Sequence, residues 1–530
     1  MAVVINDTHI WECVEVELKA EKIYKNPFRD VDLKVEFKGP NGENMVVPGF
    51  WDGENVWKIR LTPTVAGEWK WRTLCSSLDD SGLNGRDGII RAALWSSTDI
   101  ENNPNRKGFI KIHPSGRYFT YADNSPFYWL GDTLWFIYTK RCDTVNALPK
   151  YIKDRKEKGF SVIQMVAGRP AGGKAEWTGI NGRDHWYTNE AGTPYQRPYD
   201  LINPEYFKHL DVKIKMLLDN GFIPCIMGMW GWDIRMGVEN AKEYWRYLIA
   251  RYAAYNVLWS IAGEYFFVPD EQGWREIGEE IHKCDPYGHP TSAHSTAPHS
   301  GSRHYQNEEW YDFNLIQVGH VLCLKQQLEQ LPYTDYNLKP VKPTIMSESW
   351  YENHPNCEGT DKRRIMEKDI RFATYVPLLQ GCVGQSYGAH GIWNWYEEED
   401  YEFWNDYNRP SPWTHDLDLP ASRQMKYVKV LMESVTWWAL EPHPEIVATS
   451  LFSHAYCAAV PGKEYVVYVT GKKTDLIVFV PGGEYKGQWY NPRTGEWCGA
   501  DCEYFPYGSW WRWTTVTPDE EDWVLLLRSI

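Results

Sequence analysis

Hydrophobic and polar positions change their rhythm twice along the 530-residue chain. At first apolar and polar side chains alternate, as in "VEVELKAEKIY", "VDLKVEFKG" and "GIIRAALW", with "GPNGEN", "DGEN" and "LNGRDG" between the runs. A period of two bounded by Gly, Asn and Asp predicts strands that bury one face, so residues 1–103 are expected to form an antiparallel β-sandwich. Over residues 104–440 apolar runs instead follow helix-like stretches, such as "YFKHLDVKIKMLLDNG" before "FIPCIMGMW" and "AKEYWRYLIARYAAY" before "NVLWSIAGE". Continuous apolar strands interleaved with helices, several ending on Gly, predict a parallel sheet covered on both faces. Eight such strands are expected, at 127–131, 160–166, 222–228, 257–262, 290–294, 313–318, 343–347 and 382–389. Eight units predict a central (β/α)8 TIM barrel. Alternation returns in "EYVVYVTG", "TDLIVFVPGG" and "WWRWTTVTP", which predicts a small β-sandwich over 441–530. The expected fold is multidomain, a barrel flanked by two β domains.

Two of the apolar runs, "WSIAGEYFF" and "TIMSESWYEN", end on a carboxylate, Glu264 after strand four and Glu348 after strand seven. Desolvating a charge costs far more than its stem contributes, so burial alone does not place a Glu there. Barrels of this kind gather reactive groups at the C-terminal ends of their strands. The other ends are also polar or aromatic: Asp132 and Trp135 after strand one, Arg169 after two, Trp230 and Trp232 after three, and His294 at five. Gln317 and His320 close strand six, Trp350 and Tyr351 follow Glu348, and His390 and Trp393 close strand eight. Two carboxylates facing each other across a rim suit glycosidic bond cleavage, one protonating the departing oxygen and the other attacking carbon or activating water. Glu264 and Glu348 are the candidate catalytic pair, and the rim residues except Trp232 are candidate sugar ligands. The bland alternatives are a loop acid paired with Arg for each Glu, a helix N-cap for Asp132, and packing for the histidines and tryptophans. Asp184, His185 and Glu352 are loop residues with no assigned role.

Composition narrows the classes. A net charge of −15 argues against a nucleic-acid backbone or an anionic membrane as partner. No apolar stretch is long enough to span a bilayer, and the first residues lack a signal-peptide pattern, so a soluble, cytoplasmic protein is expected. The 11 cysteines are scattered without a CxxC pair, which predicts reduced thiols rather than a disulfide framework or metal site. Neither metal nor cofactor is expected. With 29 Trp and 34 Tyr, many beside Gly, Asp, His or Asn, the chain has the flat rings that a sugar face stacks on. The expected partners are a carbohydrate substrate and, at most, further copies of the chain itself.

The segments "FYWLGDTLWF", "VLWSIAGEYF", "TIMSESWYEN" and "YGAHGIWNW" resemble the motifs of apiosidase-like glycoside hydrolases, (β/α)8 barrels of bacteria that degrade plant glycans. The first zone resembles the β-sandwich often fused ahead of those barrels. The tail, with "QWYNPRTGEW", resembles the small β domain named in that family for collagen binding, although buttressing suits it better. The resemblance implies retention of configuration, and the leading expectation is an exo-acting or short-oligosaccharide glycosidase with Glu264 as acid/base and Glu348 as nucleophile. It departs at Gly263, where the wider clan has Asn, and at Ser347-Glu348-Ser349, where the family usually has Gly-Glu-Pro. Two other classes compete: a non-catalytic carbohydrate-binding protein, which has no need of both carboxylates, and a barrel lyase or isomerase, which would usually need a metal cluster or a Lys base.

Overall fold

The computed structural model describes residues 3–171, 188–197, 199–357, 362–399 and 407–530. Each expected barrel strand overlaps a strand of one sheet. The first four units are β1 (Trp129–Thr133), α1 (Ala147–Glu157), β2 (Val162–Val166), α2 (Pro204–Asp219), β3 (Ile223–Met227), α3 (Val238–Tyr252), β4 (Leu258–Ser260) and α4 (Glu271–Cys284). The rest are β5 (Thr291–Ser292), the single-turn α5 (Ser302–Tyr305), β6 (Asn314–Gln317), α6 (Gln327–Asn337), β7 (Thr344–Glu348), α7 (Glu367–Leu379), β8 (Gly384–Tyr387) and α8 (Pro420–Glu433). Every residue of the eight strands is buried, as a sheet covered on both faces requires.

The strand order is β5-β4-β3-β2-β1-β8-β7-β6, all parallel, with His299–Ser300 added antiparallel to β6. The sheet curls until its ends touch. An isolated parallel bridge joins His294 to Leu315, and the Asp312 N–H donates to the Thr291 carbonyl at 2.8 Å. Helix α4 illustrates how the outer layer forms. Asp270 caps it by accepting from the Gly273 N–H at 3.0 Å, and Trp274, Ile277 and Ile281 bury one stripe.

The N-terminal region holds a five-stranded and a three-stranded sheet. Strands such as Val14–Lys19 alternate strictly between buried and exposed positions. One pairing departs from the antiparallel expectation: Val3–His9 lies parallel to Asp87–Ala93. The C-terminal region has six- and four-stranded antiparallel sheets around a core of its own, including Val467, Val478, Trp489 and Trp513.

Buried charges tie these regions to the central one. Arg251 of α3 reaches Asp52 at 2.9 Å and Asp211 of α2 at 2.7 Å, while Arg60 reaches the same Asp211 at 2.6 Å. Both arginines are buried. Burial would raise the Asp211 carboxyl, but Arg251 and Arg60 outweigh it and hold the group down at about 2. A depressed carboxyl stabilises the fold above the ordinary carboxylate range, and that contribution fades as pH falls toward about 2. Arg251→Met is therefore expected to cost about 3–5 kcal/mol, because it leaves acidic groups buried with less compensation. Thermal melts check this: the transition should come earlier at pH 7, and the deficit should shrink on acidification. On the other side, Arg371 of α7 pairs with Asp522 through two bonds of 2.7 and 2.8 Å, which suits a buttressing C-terminal region.

Candidate active site

Glu348 is the last residue of β7, where the β6–β7 register slips between Ile316 and Gln317 and brings Gln317 opposite Glu348. Irregular pairing of this kind re-aims side chains beside functional sites. Glu264 lies four residues beyond β4, with φ 44° and ψ 49°. A left-handed backbone is unfavourable for a side chain with a Cβ, and persists only where its surroundings impose it. Here they do. The Tyr265 N–H donates to the His294 carbonyl at 3.1 Å, the Gly263 N–H to Met229 at 2.9 Å, and the Gly231 N–H to Gly263 at 2.7 Å. A Cβ at Gly263 would lie 2.3 Å from the Trp230 ring, so glycine is what lets the indole pack against this turn.

Both carboxyl groups line one cavity of about 340 Å³, together with Trp135, Arg169, Trp230, Gln317, His320, Tyr351 and Trp393. Gln317 Nε2 donates to Glu264 Oε1 at 2.9 Å. Glu348 faces two imidazoles, His294 Nε2 and His320 Nε2, each at 3.4 Å. The two acids are pushed apart in charge. Burial, then the charge of Glu348, raises Glu264 far above the usual carboxylate range, against the opposing bonds of Gln317 and Trp230. Burial would raise Glu348 as well, but His294 and His320 outweigh it and hold that group far below the range. One acid retains its proton where the other is ionised, the division of labour needed for acid-assisted displacement.

The apiosidase-like catalytic-domain family matches residues 113–439. The chain belongs to the apiosidase-like family. This makes the protein a glycoside hydrolase. Residues 7–76 match a second family, described as a domain of unknown function (DUF5060). A solved glycoside hydrolase is 21% identical, with 81% of this chain and 98% of that one covered and a TM-score of 0.66. A family 5 glycoside hydrolase from Bacteroides vulgatus is 20% identical, over 81% and 95%, with a TM-score of 0.65. Another Bacteroides vulgatus protein, assigned to the glycoside hydrolases, is 18% identical over 99% and 100%, with a TM-score of 0.75. At such identities these three share the fold with the apiosidase-like chain. No curated protein matches it.

Four expected ligands of the apiosidase-like enzyme sit elsewhere than at the cavity wall. Asp132 lies inside β1, which runs to Thr133, and on the parity that faces the helices. There it accepts from Arg155 Nε at 2.6 Å and from the Tyr151 hydroxyl at 2.7 Å, fully buried. It caps no helix either, since Asp143 accepts the N–H groups of Asn146 and Ala147 at the start of α1. Trp350 packs on Phe372 of α7 and donates to the Val321 carbonyl at 3.2 Å. His390 packs behind His354 and bonds the Asn408 carbonyl at 2.9 Å, and burial lowers its imidazole to about 3. His294 is fully buried beneath the wall, its ring 5.3 Å from Trp135, and touches Glu348 rather than open space.

Arg169 lines the cavity with its Nε on Asp233 at 2.7 Å. Trp232 stacks on Phe267. Glu352 takes the Tyr387 hydroxyl at 2.6 Å and the Ala421 N–H of α8 at 2.9 Å, a structural clamp whose carboxyl burial lifts to about 7. Asp184 and His185 lie outside the described residues. The cavity also takes Phe136, Tyr138, His354 and Cys357. The signal for Phe136 is its place beside Trp135 in "WLGDTLWF"; the pattern gives none for Cys357.

Proposed function

We propose that this enzyme is an exo-acting, configuration-retaining glycosidase for plant-type oligosaccharides or glycosides, with Glu264 as acid/base and Glu348 as nucleophile. The observation that carries this reading is the opposite charge preference of two carboxyl groups lining one cavity. Glu264 gives its proton to the departing oxygen while Glu348 attacks the anomeric carbon. Glu264, now a carboxylate, then takes a proton from the water that releases the sugar. Trp135, Trp230, Tyr351 and Trp393 offer rings for the sugar's C–H faces, and His320 and Gln317 offer polar groups for its hydroxyls. After burial, the charge of Glu348 is what raises Glu264, which favours a closely spaced pair and so supports retention. The 340 Å³ cavity is at the small end for ligand sites and supports action on a chain end rather than within a long chain.

In this reading the curled sheet is a closed (β/α)8 barrel, supported by the His294–Leu315 bridge between β5 and β6. It comprises residues 104–440, between β-sandwiches at 1–103 and 441–530. All eleven cysteines are free, which suits a reducing, cytoplasmic setting. Among the described residues no helix is long and apolar enough to cross a membrane.

A panel of aryl glycosides and plant oligosaccharides with product analysis tests the function. Release of single sugars from one or more members is expected. Products of intermediate length would contradict exo action, and no hydrolysis by folded protein across the panel would contradict the enzyme assignment to this pair.

A further inference from the structure

The His294 side chain touches both Glu264 and Glu348 from a fully buried position. Its two ring nitrogens face different partners. The backbone N–H of Glu264 donates to Nδ1 at 3.3 Å, and Nε2 lies 3.4 Å from Glu348 Oε2. An imidazole nitrogen that accepts an N–H has its lone pair occupied, so the ring proton is left to the other nitrogen. The acid's own peptide thereby selects the tautomer whose N–H faces the second carboxyl.

The ring has little freedom to choose otherwise. The His294 N–H donates to Ser260 Oγ at 3.1 Å, its carbonyl takes the Tyr265 N–H at 3.1 Å, and Trp135 packs against its face. The left-handed turn at Glu264 is what points that peptide N–H at the ring. We propose that His294 is a positioning residue: the Glu264 peptide fixes its tautomer, and its Nε2–H holds Glu348 as a carboxylate aimed into the cavity. This rests on the reading of Glu348 as nucleophile. A donor with its tautomer fixed steadies the carboxylate without replacing its charge by a covalent or metal partner, and so leaves it free to attack. At 3.4 Å the two atoms are in contact but not hydrogen-bonded, and neither has another hydrogen-bond partner among the described residues, so the bond forms as the site tightens around substrate, as catalytic contacts commonly do.

The titratable groups facing Glu348 are Glu264 from the turn after β4, His294 after β5, His320 after β6 and Tyr351 after β7; Arg169 lines the same cavity. His320 remains in every variant below, so the shift read is that of His294 alone.

His294→Leu and His294→Gln separate the contact from the packing, since the Gln amide can place an N–H near the former Nε2. Thermal melts establish that each is folded. Loss of the imidazole contact with the carboxylate is expected to move the acid limb of kcat/KM upward by about one pH unit in His294→Leu. His294→Gln should restore most of that shift. The same change should appear, without substrate, in the carboxyl titration of Glu348 followed by carbon-13 NMR of labelled, folded protein. An unmoved acid limb and titration in folded His294→Leu would overturn the proposal, as would His294→Gln shifting as far as His294→Leu. Glu348→Ala is assayed alongside. Activity surviving there would refute the nucleophile reading itself, whereas the NMR titration still decides whether His294 governs Glu348.

Discussion

Glu348→Ala is expected to lower kcat/KM by on the order of 10⁴-fold or more, because no other described group lining the cavity can take over covalent attack. His320 Nε2, at 3.4 Å from Glu348 Oε1, offers an imidazole and not a carboxylate. The fold should tolerate the change. Held below the usual range by His294 and His320, the Glu348 carboxylate contributes to stability near neutrality, so the variant should melt somewhat earlier than the wild type while still unfolding cooperatively. Loss of turnover together with a retained cooperative melt identifies the residue as chemical rather than structural. Added azide should not restore a product of the substrate's own configuration, because without Glu348 there is no glycosyl-enzyme for it to attack. Turnover within tenfold of wild type would remove Glu348 from the mechanism.

Glu264→Ala should behave differently from substrate to substrate. General acid catalysis contributes about 10²–10⁴-fold, and that contribution matters most when the leaving group is poor. Activated aryl glycosides depart without much help, so their first step should survive while natural-type glycosides lose nearly all turnover. Azide should then speed the second step by attacking the glycosyl-enzyme on Glu348 and give a glycosyl azide of retained configuration. The pH dependence follows from the opposite charge preferences. Under the proposed roles, wild-type activity requires Glu264 protonated and Glu348 ionised. It should fall on the acid side below the ordinary carboxylate range and on the alkaline side well above it, following the lowered Glu348 and the raised Glu264. Glu264→Gln should lose the alkaline limb and keep the acid one. Equal losses on good and poor leaving groups, or an alkaline limb that persists in Glu264→Gln, would take the acid role from this residue.

Much of the scaffold was written in the apolar pattern, because parallel strands buried on both faces read as short uninterrupted hydrophobic runs. All eight runs overlap a strand of the sheet, and Glu264 and Glu348 come out at one cavity. What the pattern could not give was parity at strand ends. The run predicted to stop at 131 continues to Thr133, and that small extension puts Asp132 within the ladder, facing Arg155 instead of the cavity. Trp350 illustrates the same limit, since an aromatic beside a candidate nucleophile packs against α7 rather than on substrate. His294 shows a different one. A ligand for sugar and a support for a carboxylate demand the same residue type at the same strand end, and only the contacts of the two ring nitrogens tell them apart. Alternation likewise specifies that Val3–His9 is a strand but not that it pairs in parallel.

The most direct test is the configuration of the first-formed sugar. Proton NMR begun within the first turnovers, on any glycoside that the panel finds to be cleaved, distinguishes the two anomers before mutarotation mixes them. With Glu348 as nucleophile and Glu264 as acid/base, two displacements return the anomer of the substrate. An initial product of the opposite anomer would mean a single displacement by water, with Glu348 acting as its base, and the nucleophile assignment would be wrong.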